Sequence, residues 1–276
     1  MKTQQFINHL NLAHHEQLSS TAKGFDLVIC VGIMPSRHDQ TLLADMKDSK
    51  VVYLFTMEDQ ALMGQTAFFS RYEVGSEEGI FALLTKSFLA NTPMPQTLRD
   101  YFEALDEGYL SAESNLGEEE IEEIEALYDE ATSVLIVLGN DLIVHPQADN
   151  IARFAGIIAN HAQKTKLFVS GTSSPSIQDK TTSSVLDDVE DLKSFDGVVV
   201  YQCPAQEEQE NTLLIGSAQF QMAAKVQPNE TVNVIINQEA HPRTFVRDDR
   251  LKGVIALMPV AQAETSYPYH VVKIVK

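Results

Sequence analysis

The chain has 276 residues, of which 44% are hydrophobic and 21% are charged, the proportions of an ordinary globular protein. Its formal net charge of −19 argues against a nucleic-acid partner, because binding phosphates requires clustered lysine and arginine. Two cysteines, Cys30 and Cys203, are too few for a disulfide framework or an iron–sulfur cluster. No apolar run approaches the roughly 20 residues of a membrane span, and the first residues lack a signal peptide's apolar core. We therefore expect a cytoplasmic protein without direct membrane insertion.

The first segment has the spacing of a helix. Residues 3–23 carry Phe6, Ile7, Leu10 and Leu18 at helical intervals, which predicts an opening helix. Its three histidines (His9, His14 and His15) raise the question of a metal site. Carboxylates or cysteines at ligand spacing do not accompany them, so a solvated helix face is the better interpretation.

Two buried strands follow. Residues 25–31 (FDLVICV) and 51–56 (VVYLFT) are continuous apolar runs, typical of strands buried on both faces of a sheet. The turn 32–35 (GIMP) and a short helical pattern at 42–46 separate them. Residues 60–72 lack a periodic pattern, and we expect them to be irregular.

A glycine-containing loop then introduces a helix predicted over residues 80–89. Ser76 is a candidate N-cap, and Glu77 and Glu78 suit the positive end of the helix. A phosphate could bind at Gly75 and Ser76. The two carboxylates would lie beside the amides that such a phosphate needs, so we favour the capping interpretation.

Residues 95–131 form an acidic, helix-prone insertion. Ile121, Ile124, Leu127 and Tyr128 give an amphipathic helix whose outer face is rich in glutamate. Paired carboxylates can serve acid–base chemistry or hold a divalent metal. Because these lie on one exposed face without a histidine, we interpret them as a solvated surface.

The next segment has the form of a ligand-binding crossover. A strand at 134–138 ends at Gly139, a polar turn of Asn140 and Asp141 follows, and a helix runs through Ile151 and Phe154. In open α/β sheets, ligands bind at such strand ends.

The alternation continues with a fourth strand at 166–170 and a Ser/Thr-rich loop at 172–184. A short acidic helix (Leu186, Val189 and Leu192) and a strand at 198–201 follow. This order predicts an α/β fold with a doubly wound, mostly parallel, Rossmann-like sheet.

The character of the chain changes after residue 204. A short apolar run at 213–216 and a short helix at 218–226 come first. Short strands are predicted near 232–236, 244–246, 254–257 and 270–275. Several short strands without long helices indicate a small C-terminal domain of β-barrel type. We therefore divide the chain into an α/β domain (1–204, with its helical insertion at about 95–131) and a β-rich domain (205–276).

Motifs of a self-contained active site are missing. Gly32 and Gly139 each stand alone and form neither a dinucleotide fingerprint nor a P-loop. His145 before Pro146, and His241 before a proline and an arginine, are conspicuous, but such histidines more often belong to turns or caps than to catalysis. Arg153 is spaced to pair with Asp149 on one helix.

Segments of the chain nevertheless resemble known families. Residues 25–35 (FDLVICVGIMP), 71–84 (RYEVGSEEGIFALL) and 134–158 (VLIVLGNDLIVHPQADNIARFAGII) resemble the α/β domain of the molybdopterin oxidoreductases. In that family a strand ends in a Gly-x-x-Pro turn, and a Pro-Gly-Thr-Asp loop that contacts the pterin opens a helix. The bacterial respiratory complex I, the NADH-quinone oxidoreductase, has an iron–sulfur subunit with a domain of this kind. Residues 217–236 (SAQFQMAAKVQPNETVNVII) and 248–259 (DDRLKGVIALMP) resemble the end of that complex I subunit in its divergent forms.

The resemblance has departures that bear on function. The Pro-Gly-Thr-Asp position reads VGSE at 74–77, followed by Glu78, and the middle of the turn at 32–35 is apolar. A cysteine-rich N-terminal region and a molybdenum-ligating cysteine cannot be placed. The resemblance therefore implies a vestigial molybdopterin site without a cofactor, and iron–sulfur clusters only on partner chains.

The resemblance implies a non-catalytic structural subunit in the peripheral arm of a respiratory NADH-quinone oxidoreductase, supporting electron transport carried by partner chains. Its partners would be other subunits of that membrane-associated complex, and it would associate with the membrane peripherally through them. On this hypothesis the chain has no catalytic, cofactor-binding or metal-binding residue.

Two alternatives remain open. One is a free-standing α/β oxidoreductase that binds a nucleotide or pterin at Gly32, Gly75 and Gly139. The carboxylates beside those turns (Glu77, Glu78 and Asp141) count against an anionic ligand. The other is an assembly factor that binds the complex transiently.

Overall fold

The computed structural model describes residues 2–172, 185–189, 191–261 and 266–276. The α-helices are α1 (Lys2–His9), α2 (Pro35–His38), α3 (Gln40–Asp45), α4 (Glu77–Leu89), α5 (Gln96–Ala104), α6 (Glu107–Ser114), α7 (Glu118–Glu130), α8 (Asn140–Val144), α9 (Ala148–His161) and α10 (Ala218–Ala224). The strands are β1 (Leu27–Val31), β2 (Lys50–Phe55), β3 (Thr66–Arg71), β4 (Val134–Leu138), β5 (Thr165–Val169), β6 (Val199–Pro204), β7 (Leu213–Gly216), β8 (Thr231–Ile236), β9 (Glu239–Arg247), β10 (Ile255–Val260), β11 (Tyr269–Val271) and β12 (Lys273–Val275).

The chain divides into two compact units. The first, called the Rossmann-like unit, comprises Met1–Met34, Asp39–Thr56 and Gly64–Lys193. The second, called the barrel unit, comprises Pro35–His38, Met57–Met63 and Ser194–Lys276. The predicted boundary at residue 204 differs from this division, because β6 pairs with β10 and β11 and so belongs to the barrel unit.

The Rossmann-like unit is built on a five-stranded parallel sheet with the order β3-β2-β1-β4-β5, flanked by helices. β1 and β4 pair in register from Leu27 opposite Val134 to Val31 opposite Leu138, and every residue of both strands is buried. The long apolar runs of the sequence form these central strands because both of their faces are covered. The predicted doubly wound, Rossmann-like sheet is confirmed.

The expectation that residues 60–72 are irregular is wrong, since β3 lies there. β3 pairs with β2 at the edge of the sheet, and its residues are mostly half-buried. An edge strand that is covered on fewer sides does not need a continuous apolar run, so the sequence pattern is weak.

The acidic insertion is helical, as predicted. It forms α5, α6 and α7, and Ile124 and Tyr128 are the buried positions on α7. Ile121 and Leu127 pack against the same core. The glutamate-rich face of α7 is its exposed face, which agrees with the solvated-surface interpretation.

The predicted opening helix over 3–23 is too long. α1 ends at His9, and a 3-10 turn at His15–Gln17 leads to Leu18, which forms a parallel bridge to Leu167 of β5. The break follows from close packing, because a β-carbon on Gly156 of α9 would lie 1.7 Å from the Leu10 carbonyl oxygen. The backbone after α1 therefore runs directly over α9.

The short acidic helix expected at Leu186, Val189 and Leu192 is not helical where the structure describes it (185–189 and 191–193). These side chains instead pack against the core of the Rossmann-like unit. Side chains also bond the backbone there, since the Leu192 amide donates to the Tyr109 hydroxyl at 2.9 Å. Most of the Ser/Thr-rich loop expected at 172–184 lies outside the described residues.

The barrel unit contains a nearly closed seven-stranded sheet with the order β11-β6-β10-β7-β9-β8-β12. β11 and β12 are consecutive in the chain, separated by Val272, whose amide donates to the Val198 carbonyl at 2.9 Å. The single strand predicted at 270–275 is therefore two short strands at opposite ends of the sheet. The core contains Leu214, Phe220, Phe245 and Met258, and the predicted barrel-like domain is confirmed.

Two short segments from earlier in the chain belong to the barrel unit. The Ser36 amide donates to Asp59 Oδ2 at 2.8 Å, and Gln206 Nε2 donates to the Ser36 carbonyl at 2.6 Å. Arg37 forms an ion pair with Glu210. These contacts explain why residues 35–38 belong to the barrel unit, although β1, which precedes them in sequence, belongs to the Rossmann-like unit.

Candidate functional site

The carboxyl ends of β1 and β4 lie at the topological switch point of the sheet. From β1 the chain continues to β2 on one side, and from β4 it continues to β5 on the other. A sheet of this order binds its ligands in the crevice at such a point. Gly32 follows β1 and Gly139 follows β4, so two of the three glycines considered for a nucleotide or pterin come together here.

The loops after β1 and β4 are bonded to each other. The Gly139 amide donates to the Val31 carbonyl at 2.9 Å, and the Asp141 amide donates to the Gly32 carbonyl at 3.1 Å. A β-carbon on Gly139 would lie 2.1 Å from the Gly32 carbonyl oxygen, so this approach requires glycine. These two amides are therefore directed at backbone carbonyls, where a phosphate-binding turn would direct them at a ligand.

A leucine covers the turn after β1. Gly32 has φ +67°, and a β-carbon there would lie 2.7 Å from Leu142 Cγ. Leu142 is fully buried, because Asn140 and Asp141 begin α8. The polar turn predicted at 140–141 is thus wrong: the extended backbone of Gly139 is the N-cap of a short helix, which directs Leu142 toward Gly32.

Acidic residues occupy the helix starts on this side of the sheet. Glu77 and Glu78 lie in the first turn of α4, Asp141 in that of α8 and Asp149 in that of α9. A carboxylate is stabilised by the partial positive charge of a helix N-terminus. The same carboxylates oppose the binding of a phosphate at those ends.

The loop that opens α4 is closed by a hydrogen bond of its own. Gly75 has φ +88°, and Ser76 is at the N-cap position, as predicted. The Ser76 side chain, however, donates to the Glu73 carbonyl at 2.6 Å and does not cap the helix amides. Ser76 therefore occupies the predicted N-cap position, but its hydroxyl does not accept a hydrogen bond from the helix amides.

Glu77 joins a buried polar cluster with Tyr72 and His145. The Tyr72 hydroxyl lies 3.4 Å from Glu77 Oε1, and His145 Nε2 lies 3.3 Å from Glu77 Oε2. His145 Nδ1 accepts from the Gln147 amide at 3.0 Å, so the proton of the neutral ring lies on Nε2. Both ring nitrogens face protein groups, and His145 is the C-cap residue of α8.

The cluster changes the acidity of Tyr72. Burial is the largest cause that raises the pKa of its hydroxyl well above 10, and the nearby charges of Glu77 and Asp141 raise this pKa further. Tyr72 therefore stays protonated at neutral pH and acts as a hydrogen-bond donor.

Glu78 is held by a second set of contacts. Asn150 Nδ2 donates to Glu78 Oε1 at 2.7 Å and to the Asp187 carbonyl at 3.0 Å. The Asp187 amide donates back to Asn150 Oδ1 at 3.0 Å. Asn150 thereby joins the start of α4 to the segment at 185–189.

The structure also places His9, Arg153 and His241, which the sequence singled out. His9 pairs with Asp149 at 3.3 Å, while Arg153 pairs with Asp187, so the expected pair of Arg153 with Asp149 is wrong. His241 lies in β9 opposite Val234. Among the described residues, no group of three or more His, Cys, Asp or Glu side chains is arranged to hold a metal. None of the described helices has the length and apolarity to cross a membrane.

Sequence reasoning missed Asn150 and Leu142. Asn150, Phe154 and Ile158 lie at i, i+4 and i+8 on α9, so Asn150 occupies a position of the apolar face. A polar residue at such a position is a signal for a buried hydrogen-bonding role. Leu142 gave no comparable signal, because its importance depends on the distant Gly32.

Comparisons with known proteins give little further assignment. The chain matches no family model and no curated protein. Among solved structures it is similar to acetylene hydratase from Pelobacter acetylenicus, with 10% identity and a TM-score of 0.46. The match covers 58% of this chain and spans only 24% of that enzyme. A likeness of this size assigns neither a family nor an activity.

Proposed function

We propose that this chain is a non-catalytic subunit of an oxidoreductase complex, specifically a structural component of the peripheral arm of a respiratory NADH-quinone oxidoreductase. The partner assignment rests on the sequence resemblance of residues 25–35, 71–84, 134–158, 217–236 and 248–259. The non-catalytic role rests on the direct bonding of the loops after Gly32 and Gly139.

That bonding supports a framework without a cofactor. A dinucleotide needs backbone amides aimed outward at its pyrophosphate and glycines that let it approach. Here the amides of Gly139 and Asp141 point at the preceding loop, and Leu142 lies against Gly32. The two glycines thus allow two backbone segments of this chain to approach each other.

Charge supports the same conclusion. The carboxylates at the starts of α4 and α8 (Glu77, Glu78 and Asp141) are all buried. Each lies in the first turn of its helix, where a bound phosphate would otherwise be stabilised, and like charges would repel that phosphate. In this proposal iron–sulfur clusters and electron transfer belong to partner chains, and this chain supplies packing surface.

The test is co-purification from the native membrane. A tagged chromosomal copy of the chain is isolated after mild detergent extraction, and NADH-quinone oxidoreductase activity and iron are measured in the eluate. We expect activity and iron to co-elute with the chain at constant stoichiometry. Elution of the chain alone, or stoichiometric molybdenum in the purified recombinant chain, would contradict the proposal.

A second candidate is a free-standing nucleotide- or pterin-binding oxidoreductase, which the strand order β3-β2-β1-β4-β5 favours. Thermal unfolding with millimolar nucleotide separates the two, because a ligand at about 100 times its Kd stabilises a protein by about 2.7 kcal/mol. A chain without a cofactor site gives no shift. A clear upward shift in Tm would support the second candidate.

A further inference from the structure

A segment without helix or strand lies across α4, α5, α6 and α9 of the Rossmann-like unit. We call it the strap, and it comprises residues 185–189 and 191–193 as the structure describes them. Its apolar residues Leu186, Val189 and Leu192 are partly buried against the core of that unit. These three side chains anchor the strap on the helices.

Side chains of the helices bind the backbone of the strap. Asn150 and Asp187 form two hydrogen bonds, since Asn150 Nδ2 donates to the Asp187 carbonyl and the Asp187 amide donates to Asn150 Oδ1, each at 3.0 Å. The Tyr101 hydroxyl donates to the same carbonyl at 2.9 Å, and the Leu192 amide donates to the Tyr109 hydroxyl at 2.9 Å. Hydrogen bonds to the main chain, together with pockets for side chains, are the means by which proteins hold extended peptides.

The strap is not paired with another backbone segment. Within the described part of the chain, no backbone-to-backbone hydrogen bond involves residues 186–189 or 191–192. A segment that is held by side chains and by partly buried apolar contacts has a low free energy of local opening. We therefore expect the strap to leave the helices more readily than any strand leaves the sheet.

The surface beneath the strap has a place for one of its anchors. Gly79 of α4 lies against Leu192, and a β-carbon on Gly79 would be 3.0 Å from Leu192 Cδ1 and 3.3 Å from Leu110 Cδ2. Because these distances are shorter than ordinary van der Waals contacts, even an alanine would crowd Leu192. The glycine thus leaves room for an apolar side chain of the segment that lies over α4.

Arg153 of α9 gives the same surface a preference for a carboxylate. The Arg153 side chain is only 12% exposed, and its ion pair within the described residues is with Asp187, whose side chain is 70% exposed. Arg153 Nε is buried and has no hydrogen-bond partner in that part of the chain. A largely buried guanidinium group is costly without a carboxylate, so a segment that lacks one here would bind less tightly.

We propose that this surface is a peptide-binding groove, which the strap occupies in cis and which a partner protein occupies with an extended segment of the same pattern. The pattern is an apolar residue followed directly by an aspartate, with further apolar residues three and six positions after the first, as in Leu186, Asp187, Val189 and Leu192. The strap competes with the partner and keeps the groove closed in its absence. This inference rests on the contacts of the strap and stands independently of the proposed role in a respiratory complex.

The first test uses the ¹⁵N-labelled wild-type chain with an unlabelled peptide of residues 184–194 (acetyl-SVLDDVEDLKS-amide). A tethered segment competes at an effective concentration of millimolar order, so millimolar peptide should displace a large share of the strap. We expect hydrogen exchange of the Asp187 and Leu192 amides of the chain to accelerate at least about tenfold, because both lose their acceptors. A peptide of scrambled sequence should leave both rates unchanged. Unchanged rates with both peptides would overturn the proposal.

The second test weakens the strap and leaves the groove intact. Leu186→Ala with Leu192→Ala removes two anchors, so the fluorescein-labelled peptide should bind this strap variant at least about tenfold more tightly than it binds the wild type. Circular dichroism checks that the variant is folded. A folded strap variant that binds no peptide at millimolar concentration would contradict the proposal. So would a strap variant that forms a dimer, since a second copy of the chain would then fill the groove.

The third test examines the carboxylate in the strap variant. A peptide with asparagine in place of the aspartate that matches Asp187 should bind about tenfold more weakly. This difference should vanish when Arg153→Gln is added, because the two groups act as a pair. Arg99→Gln, at an exposed position of α5, removes the same charge and should preserve the difference. Equal effects of the two arginine substitutions would contradict the groove.

Discussion

Gly139 and Gly32 approach so closely that a β-carbon on Gly139 would lie 2.1 Å from the carbonyl oxygen of Gly32. The two residues end the central strands of the Rossmann-like sheet, where a ligand crevice is expected. Their contact turns that crevice into a backbone-to-backbone junction. The junction can be tested by measuring the free energy of unfolding of variants and the binding of dinucleotides.

Gly139→Ala should destabilise the protein by about 3 kcal/mol or more, because the clash is with backbone and cannot be relieved by a side-chain rotation. The measurement is urea-induced unfolding. Gly108→Ala is the control: Gly108 is exposed in α6, and a β-carbon there would meet only the Asp106 side chain at 3.6 Å. That variant should be stabilised by about 0.5–1 kcal/mol. Equal effects of the two substitutions would contradict the junction.

Glu77→Ala should cost about 2–4 kcal/mol, because it removes the acceptor that faces both Tyr72 and His145 in a buried cluster. Glu77→Gln keeps an oxygen acceptor and should cost less. Glu119→Ala, at an exposed position in the first turn of α7, should change the free energy of unfolding by less than about 0.5 kcal/mol. Chemical denaturation at pH 7 compares the three, and equal costs for the two Glu77 variants would contradict the cluster.

Tyr72 should make the protein sensitive to alkali. Its pKa is raised in the folded state by burial and by the charges of Glu77 and Asp141, so the unfolded chain loses this proton first, above about pH 10. The stabilisation is complete below pH 10 and is lost as the pH rises toward the folded pKa, at up to about 1.4 kcal/mol per pH unit. Tyr72→Phe should reduce the slope of stability against pH between 10 and 11 by roughly this amount. An unchanged slope would contradict the assignment.

Asn150→Ala should release the segment at 185–189 from α4. The substitution removes the hydrogen bonds of Asn150 with Glu78 and with the backbone of Asp187. Exchange of the Asp187 amide should accelerate at least about tenfold, since this amide loses its acceptor, Asn150 Oδ1. Asn8→Ala, on α1, serves as the control and should leave exchange at 185–189 unchanged. Unchanged exchange in Asn150→Ala would contradict the role of this residue.

Ser217→Ala should destabilise the barrel unit by about 1–2 kcal/mol. Ser217 is fully buried, accepts from the Phe220 amide at 3.0 Å as the N-cap of α10 and donates to the Gly253 carbonyl at 2.6 Å. Met222→Ser, at a position of α10 that is 71% exposed, should change stability by less than about 0.5 kcal/mol. Thermal unfolding of the full chain measures both, and an equal loss would contradict the cap.

The central strands can be predicted from sequence because burial on both faces requires continuous apolar runs, as in β1 and β4. β3 escapes prediction because an edge strand needs no such run. The sequence predicts β6 as a strand but places it in the wrong sheet, since a buried parallel strand has the same pattern in either sheet. Local pattern thus indicates the elements, and pairing between distant segments decides their place.

The position of the candidate site can be predicted from the sequence. The bonding between its two loops and the burial of its carboxylates cannot. Gly32 and Gly139 mark the ends of adjacent strands, so their meeting follows from the strand order. That their backbones bond to each other depends on α8, whose first turn has the sequence of a polar turn. The acidic helix starts are visible in the sequence as Glu77, Glu78 and Asp141, whereas their burial depends on the tertiary packing of the unit.

Isothermal titration calorimetry of the purified full chain with NADH, and separately with FAD, tests most directly the claim that this Rossmann-like framework holds no dinucleotide. The Gly32–Gly139 junction and the buried carboxylates of α4 and α8 predict no saturable heat up to millimolar ligand. Saturable binding of either dinucleotide with a micromolar Kd would contradict the claim.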